Sequence, residues 1–179
     1  MSTCSIRGII FLLLLQIPSL LFSQKKDTLR WGIEPSLTYS YTGVGGGLGI
    51  VLRKRQNEYT LKARTSLGYV TRASGAPLGG GLGLRHLLFE KPRWAGFFDV
   101  SYEDLFMRIH SPYISSPYWY QVHELYFGYG TRLGKGHFKF SNCIGYGGYA
   151  EMRHDPIENE NYFLFHFGPF IKLFGTYEF

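Results

Sequence analysis

Residues 163–179 impose the strongest constraint on what this chain can fold into. Phe163, Phe165, Phe167, Pro169, Ile171, Leu173, Gly175, Tyr177 and Phe179 share one parity, and Leu164, His166, Gly168, Phe170, Lys172, Phe174, Thr176 and Glu178 share the other. Successive side chains of a β-strand point to opposite faces, so the first set forms an apolar face suited to lipid. A slip of one residue would carry Lys172 into that face, at a cost of about 2–4 kcal/mol near a hydrocarbon midplane. The phase of this strand is therefore fixed.

The same period recurs upstream. Leu29, Trp31, Ile33, Leu37, Tyr39 and Tyr41 alternate with Arg30, Gly32, Glu34, Ser36, Thr38 and Ser40. Pro35 is tolerated there only where it donates nothing to the ladder. Six further segments, at about 46–53, 58–71, 79–90, 94–109, 119–132 and 137–152, bring the expected strand number to eight. Tight turns at Lys54-Arg55-Gln56-Asn57, Lys91-Pro92-Arg93 and Gly134-Lys135-Gly136 alternate with longer connections around 72–78, 110–118 and 153–160. The first connection on the long side, Thr42-Gly43-Val44-Gly45, is the short exception. Short turns on one side, loops on the other and an even strand number predict an all-β, eight-stranded antiparallel up-and-down transmembrane barrel with no open edge. The composition agrees, since 18% aromatic residues and 23 glycines against 18% charge favour pleated, half-buried surfaces over helices.

The amino terminus is expected to be a secretory leader. Arg7, the apolar run Ile9 to Leu15 and the small-residue end Phe22-Ser23-Gln24 give a signal peptide over 1–23 and a single barrel domain over 24–179. Gln16 and Pro18 interrupt a run that would need roughly 20 apolar residues to span a bilayer. Cys4 precedes the apolar run and so is not the acylated cysteine of a lipoprotein. Cleavage leaves Cys143 alone, which excludes an intramolecular disulfide framework. The formal charge of +6 becomes +5 once Arg7 is lost, a modest basic surplus that suits anionic headgroups rather than nucleic acid.

Aromatic residues gather where the apolar faces would meet water. Trp31, Tyr59, Trp94, Tyr129 and Tyr177 fall toward the turn side, and Tyr39, Tyr41, Tyr69 and Trp119 toward the loop side, as two interfacial girdles. Parity sends Arg30, Arg53, Lys62, Arg64, Arg85, Arg132, Lys139 and Lys172 into the lumen, with Glu34, Asp99, Glu103, Glu124, Glu151 and Glu178 as partners. Eight strands leave an interior that side chains fill, so a charge network rather than a wide channel is expected. One irregularity stands out. Phe98, Val100 and Tyr102 share a parity that Leu105, Met107 and Ile109 break, which predicts a bulge near Glu103-Asp104.

On these features the chain resembles the OmpA/OmpX-type family of small outer-membrane β-barrels, in the variants of Bacteroidota-like bacteria. The closing strand ending in Tyr177 and Phe179 matches the family's signal for the barrel-assembly machinery. The resemblance implies a porin-like barrel of the Gram-negative cell envelope, located in the outer membrane, monomeric, and partnered by outer-membrane lipids and lipopolysaccharide. It implies a structural or surface-interaction role, with Tyr113, Ile114, Tyr118 and Trp119 available in one loop. Two alternatives come with it, a small-solute channel and a lipid A deacylase or acyltransferase.

For such chemistry a nucleophile, a base and an orienting carboxylate must converge. The candidates are scattered: His110 with Ser111, His154 with Asp155, and His123 facing outward on the sixth strand. Ser141-Asn142 is preceded by Lys139 where the deacylase motif has histidine, so no complete motif is present. No catalytic, cofactor-binding or metal site is assigned, and no cofactor is expected. The histidines are isolated, and Asp155, Glu158 and Glu160 read as solvated loop carboxylates. Gly45-Gly46-Gly47 and Gly79-Gly80-Gly81 lack the helix and Lys-Ser/Thr of a phosphate loop and fit close strand packing instead.

Overall fold

The computed structural model describes residues 29–66, 77–109, 118–155 and 160–179, the side chains at 108, 109, 118, 119 and 153–155 excepted. The expected leader lies outside the described residues, as do Tyr69, His110, Ser111, Tyr113, Ile114 and Glu158 and the side chains of Tyr118, Trp119, His154 and Asp155.

Eight strands follow in order: β1 (Arg30–Ser40), β2 (Gly43–Lys54), β3 (Asn57–Ser66), β4 (Leu78–Glu90), β5 (Trp94–Ile109), β6 (Tyr118–Lys135), β7 (Phe138–Asp155) and β8 (Glu160–Glu178). Each pairs antiparallel with its chain neighbours, and β8 returns to β1 to close the barrel. β2 begins three residues before its expected start. Its glycines pair directly with β1, Ser40 opposite Gly43, leaving Tyr41 and Thr42 as the turn. The β6–β7 turn is closed by Gly136, whose φ of 72° is the left-handed conformation that glycine adopts without a steric penalty.

Strand tilt follows from the stagger of the ladder. From Ser36 the partners run through Gly47, Arg64, Gly79, Leu105, Val122 and Glu151 to Leu164. Ser36 itself pairs with Phe174 on β8, so the ring closes with a shift of 10 residues, 174 minus 164. A shear of this size in eight strands gives a narrow, side-chain-filled barrel.

The two faces obey the expected alternation. Trp31, Ile33, Leu37, Tyr39, Phe127, Ile144, Phe167, Ile171 and Tyr177 are exposed on the outside, while Glu34, Thr38, Arg64, Arg85, Asp99, Glu103, Glu124, Arg132 and Lys172 are buried inside. The wall is apolar outward and polar inward, the reverse of a soluble barrel.

The expected bulge near Glu103-Asp104 is absent; the irregularity lies elsewhere. β5 pairs with β6 without a shift from Trp94 to Ile109, and Leu105 and Met107 simply point inward. They pack against Tyr120 and Val122 in an apolar cluster that caps the polar interior. Apolar side chains of this barrel need not face lipid, and here they line the loop-side third of the lumen. The bulge falls between Leu87 and Phe89, where the β4–β5 pairing shifts by one residue. Phe89 consequently lies over Gly96, where an added Cβ would come within 2.5 Å of its ring, and meets Trp94 edge-on at 4.7 Å. Glu90 is turned toward the lumen mouth, and its Oε1 accepts a hydrogen bond from Arg53 Nη1 at 2.9 Å.

The seam between β1 and β8 has one lapse. Register partners are present at Gly32, Ile33 and again from Ser36 to Tyr39, but not at Glu34 or Pro35. Proline has no N–H to give, as the sequence required. Thr176 on β8 bridges the lapse from inside, its hydroxyl donating to Glu34 Oε2 at 2.8 Å. At the turn end the amide of Phe179 donates to the Trp31 carbonyl at 2.9 Å, and the two rings stack 4.1 Å apart.

Candidate functional site

Every strand contributes to the charged interior, because every second residue of each strand must face it. Glu58 on β3 sits at the centre of its turn-side half. Its Oε2 accepts hydrogen bonds from Arg85 on β4 at 2.8 Å and Arg132 on β6 at 2.6 Å, and its Oε1 takes a second bond from Arg132. Arg85 also donates to both oxygens of Glu34 at 3.1 Å. Its Nε is left without a hydrogen-bond partner, 3.7 Å from Asp99. Arg132 spends its own Nε on Ser141 Oγ at 3.1 Å.

A second knot lies one layer toward the loops. Glu103 on β5 meets three cations, Lys62 at 2.5 Å, Lys172 at 2.9 Å and Arg64 at 2.9 Å. Arg64 also bonds Glu124, which receives the hydroxyls of Thr42 and, at 2.8 Å, Tyr126. Lys172 donates to Ser101 and stands 4.0 Å from the centre of the Tyr126 ring, while Arg85 lies 4.0 Å from that of Phe174. These aromatic faces add attraction for cations held away from water. Between the two knots remains a cavity of about 20 Å³, lined by residues including Glu34, Arg85, Ser101 and Lys172, room for a single water.

The expected lumen set is thus largely assembled, with two corrections. Arg30 is exposed at the turn-side mouth, 4.0 Å from Glu178, because the strand has barely begun there. Glu58, which sequence reasoning missed, is the most connected acid of the turn-side knot; its shared parity with Lys62 and Arg64 was the available signal. Arg53 and Lys139 stand at the mouth, Lys139 bonded to Glu178 at 2.6 Å, and Glu151 near the loop end takes the hydroxyl of Tyr120.

The enzymatic candidates are not brought together. Ser141 points inward to Arg132, whereas Asn142 points outward and accepts from Thr131 at 3.0 Å. Cys143 is buried in the lumen among Phe97, Tyr126 and Phe170. His137 bonds the Glu178 carbonyl at 2.7 Å, His86 bonds Asn57 at 2.7 Å, and His166 stacks on Tyr41. Among the described residues no group of three His, Cys, Asp or Glu side chains could hold a metal ion. His123 alone joins a polar cluster, and it lies on the outer wall. Its Nδ1 is 2.6 Å from the Tyr102 hydroxyl and 3.5 Å from Asp104, whose carboxylate accepts from Gln121 at 3.1 Å.

An apolar exterior, a polar interior of paired charges and a closed eight-strand ladder define a membrane-type β-barrel. Among solved structures the chain is similar to the N-terminal β-barrel domain of Pseudomonas aeruginosa OprF, with a TM-score of 0.53 and 13% identity over 86% of this chain and 100% of that one. It is also similar to a major outer membrane protein from Thermus thermophilus, with a TM-score of 0.46 and 13% identity over 85% and 100%. At 13% identity the likeness to the OprF domain is one of fold. No protein-family model matches the chain, and no curated protein matches it.

Proposed function

We propose that this chain is an integral outer-membrane barrel, exported by its leader 1–23, with a structural or surface-interaction role and no solute path through its centre. The observation that carries the reading is the interior. Two layers of buried ion pairs, capped by Leu105, Met107, Tyr120 and Val122, leave about 20 Å³ between them. A hydrated ion would have to break several charge-assisted bonds at once to pass. The exterior supports the location, since its exposed aromatic and aliphatic residues would be stable only against lipid. Likeness to the OprF barrel domain supports it further. Recognition by the barrel-assembly machinery is assigned to the strand ending in Tyr177 and Phe179, and a single chain closing its own ladder supports a monomer. A lipid-modifying activity is the weaker reading, because among the described residues no serine or cysteine bonds to His123.

Two measurements on membranes from producing cells test this together. The protein should sediment with the outer membrane and migrate differently boiled and unboiled. Reconstituted in a planar bilayer, it should pass no current. Stable unitary conductance would overturn the sealed-lumen reading, and absence of a heat-dependent shift would overturn the barrel's membrane placement.

A further inference from the structure

Among the described residues the outer wall holds a four-residue polar cluster, larger than the outward pairs His86–Asn57 and Thr131–Asn142. Tyr102 and Asp104 on β5 and Gln121 and His123 on β6 form it, side by side and facing outward. Its height is set by the strand. Ten residue steps separate Trp94, in the turn-side girdle, from Asp104. At about 3.4 Å per residue and a tilt near 40°, that is roughly 26 Å along the barrel axis. An apolar belt is about 25 Å tall, so the carboxylate stands where acyl chains give way to headgroups on the loop side.

Beside this cluster the wall opens into an outward-facing crevice of about 310 Å³. Its floor is Gly148 and Ala150 on β7, and Phe165 and Phe167 of β8 stand along one side of it. A Cβ at Gly148 would already touch both rings at 3.4 Å, so a larger side chain there would fill the space. The crevice is apolar except at the rim, where Tyr102 and His123 begin the polar cluster.

We propose that this crevice and the cluster at its rim bind one lipid of the loop-side leaflet, with an acyl chain over Gly148 and N–H or O–H donors of the headgroup at Asp104. The inference rests on the membrane placement proposed above. Two features select the occupant. The crevice faces the side on which the membrane placement leaves only lipid, and its lining is apolar away from the rim. Asp104 has no Lys or Arg partner among the described residues; its neighbours are the Gln121 amide and the His123 ring. A carboxylate in that position attracts a donor headgroup such as a primary ammonium and gains little from a quaternary one, which has no hydrogen to give.

The test uses the whole folded protein in dodecyl maltoside, given equal amounts of phosphatidylethanolamine and phosphatidylcholine with identical chains, and counts retained lipids by native mass spectrometry. Wild type should keep one phosphatidylethanolamine in preference to phosphatidylcholine by about tenfold, the worth of one hydrogen bond to a charged group. Asp104→Asn should keep a lipid but lose the preference, and Gly148→Phe should lose the lipid. Should Gly148→Phe fail to show the heat-dependent gel shift of a folded barrel, Ala150→Leu serves in its place. Equal retention of both lipids by wild type, or an undiminished adduct in the folded crevice variant, would overturn the proposal. A wild-type protein lacking the gel shift would instead strike at the membrane placement on which it rests.

Discussion

Replacing Glu58 with glutamine removes one charge from the lumen without changing its volume. Glu58 is 1% exposed and Arg132 3%, so neither can recruit bulk water when the pairing is broken. Arg85 keeps both oxygens of Glu34 at 3.1 Å. Among the described residues Arg132 makes no other ion pair within 4.0 Å and keeps one hydrogen bond, to Ser141, beside the Phe97 ring at 5.8 Å. The loss is therefore concentrated on one buried guanidinium. Breaking such a pair from one side costs about 3–5 kcal/mol. The glutamine carbonyl still accepts one bond, which places the expected value near the lower end, about 3 kcal/mol or more than a hundredfold in the unfolding equilibrium. Removing both partners, as Glu58→Leu with Arg132→Met, should recover most of it, because no uncompensated charge is left behind. Guanidinium unfolding in detergent micelles, followed by tryptophan fluorescence and by the folded fraction on unboiled gels, measures all three proteins. A Glu58→Gln stability within about 0.5 kcal/mol of wild type, the range of an ordinary surface substitution, would refute the argument that these charges are sealed from water.

Two further outcomes follow from the wall. Deleting Leu88 removes the extra residue and should restore strict alternation to β4 with Phe89 still over Gly96 and Glu90 still beside Arg53; the yield of heat-shifting protein should stay close to that of a Leu88→Ala control, and a yield far below it would contradict the bulge. Cys143, 0% exposed, should resist a maleimide in the folded barrel and react fully after boiling, while labelling of the folded protein at position 143 would show that the lumen admits small solutes.

Much of this architecture was legible because a two-residue period survives noise. Lys172 and Thr176 fix the phase of β8 by themselves, and Arg85, Arg132 and Glu124 do the same for β4 and β6. The two errors of register share a cause. Leu87, Leu88 and Phe89 are all apolar, so a shift of register among them leaves no trace in the pattern. Leu105 and Met107 were misplaced because an apolar side chain does not say whether it faces lipid or a dry part of the lumen. Once they point inward, Asp104 must point outward. The cluster with His123 exists only because β5 runs unbroken past Glu103. Glu58 was overlooked for another reason: it lies next to a tight turn, where a carboxylate ordinarily meets water. Only the arrival of Arg132 from across the barrel makes it central, and that encounter depends on the closed circuit of eight ladders.

The lapse at Pro35 ties the interior to the integrity of the wall. Where β1 and β8 give up their backbone ladder, the join is carried by Glu34, held on one side by Thr176 and on the other by Arg85. The carboxylate acts as a tie rod between the first strand, the last strand and the opposite wall. A barrel assembled from one continuous chain has a single place where its ends must be fastened, and here that fastening is partly ionic. Strand closure and neutralisation of the core are thus one event: the cylinder cannot be unzipped at its seam without also undoing the charge pairs that fill it.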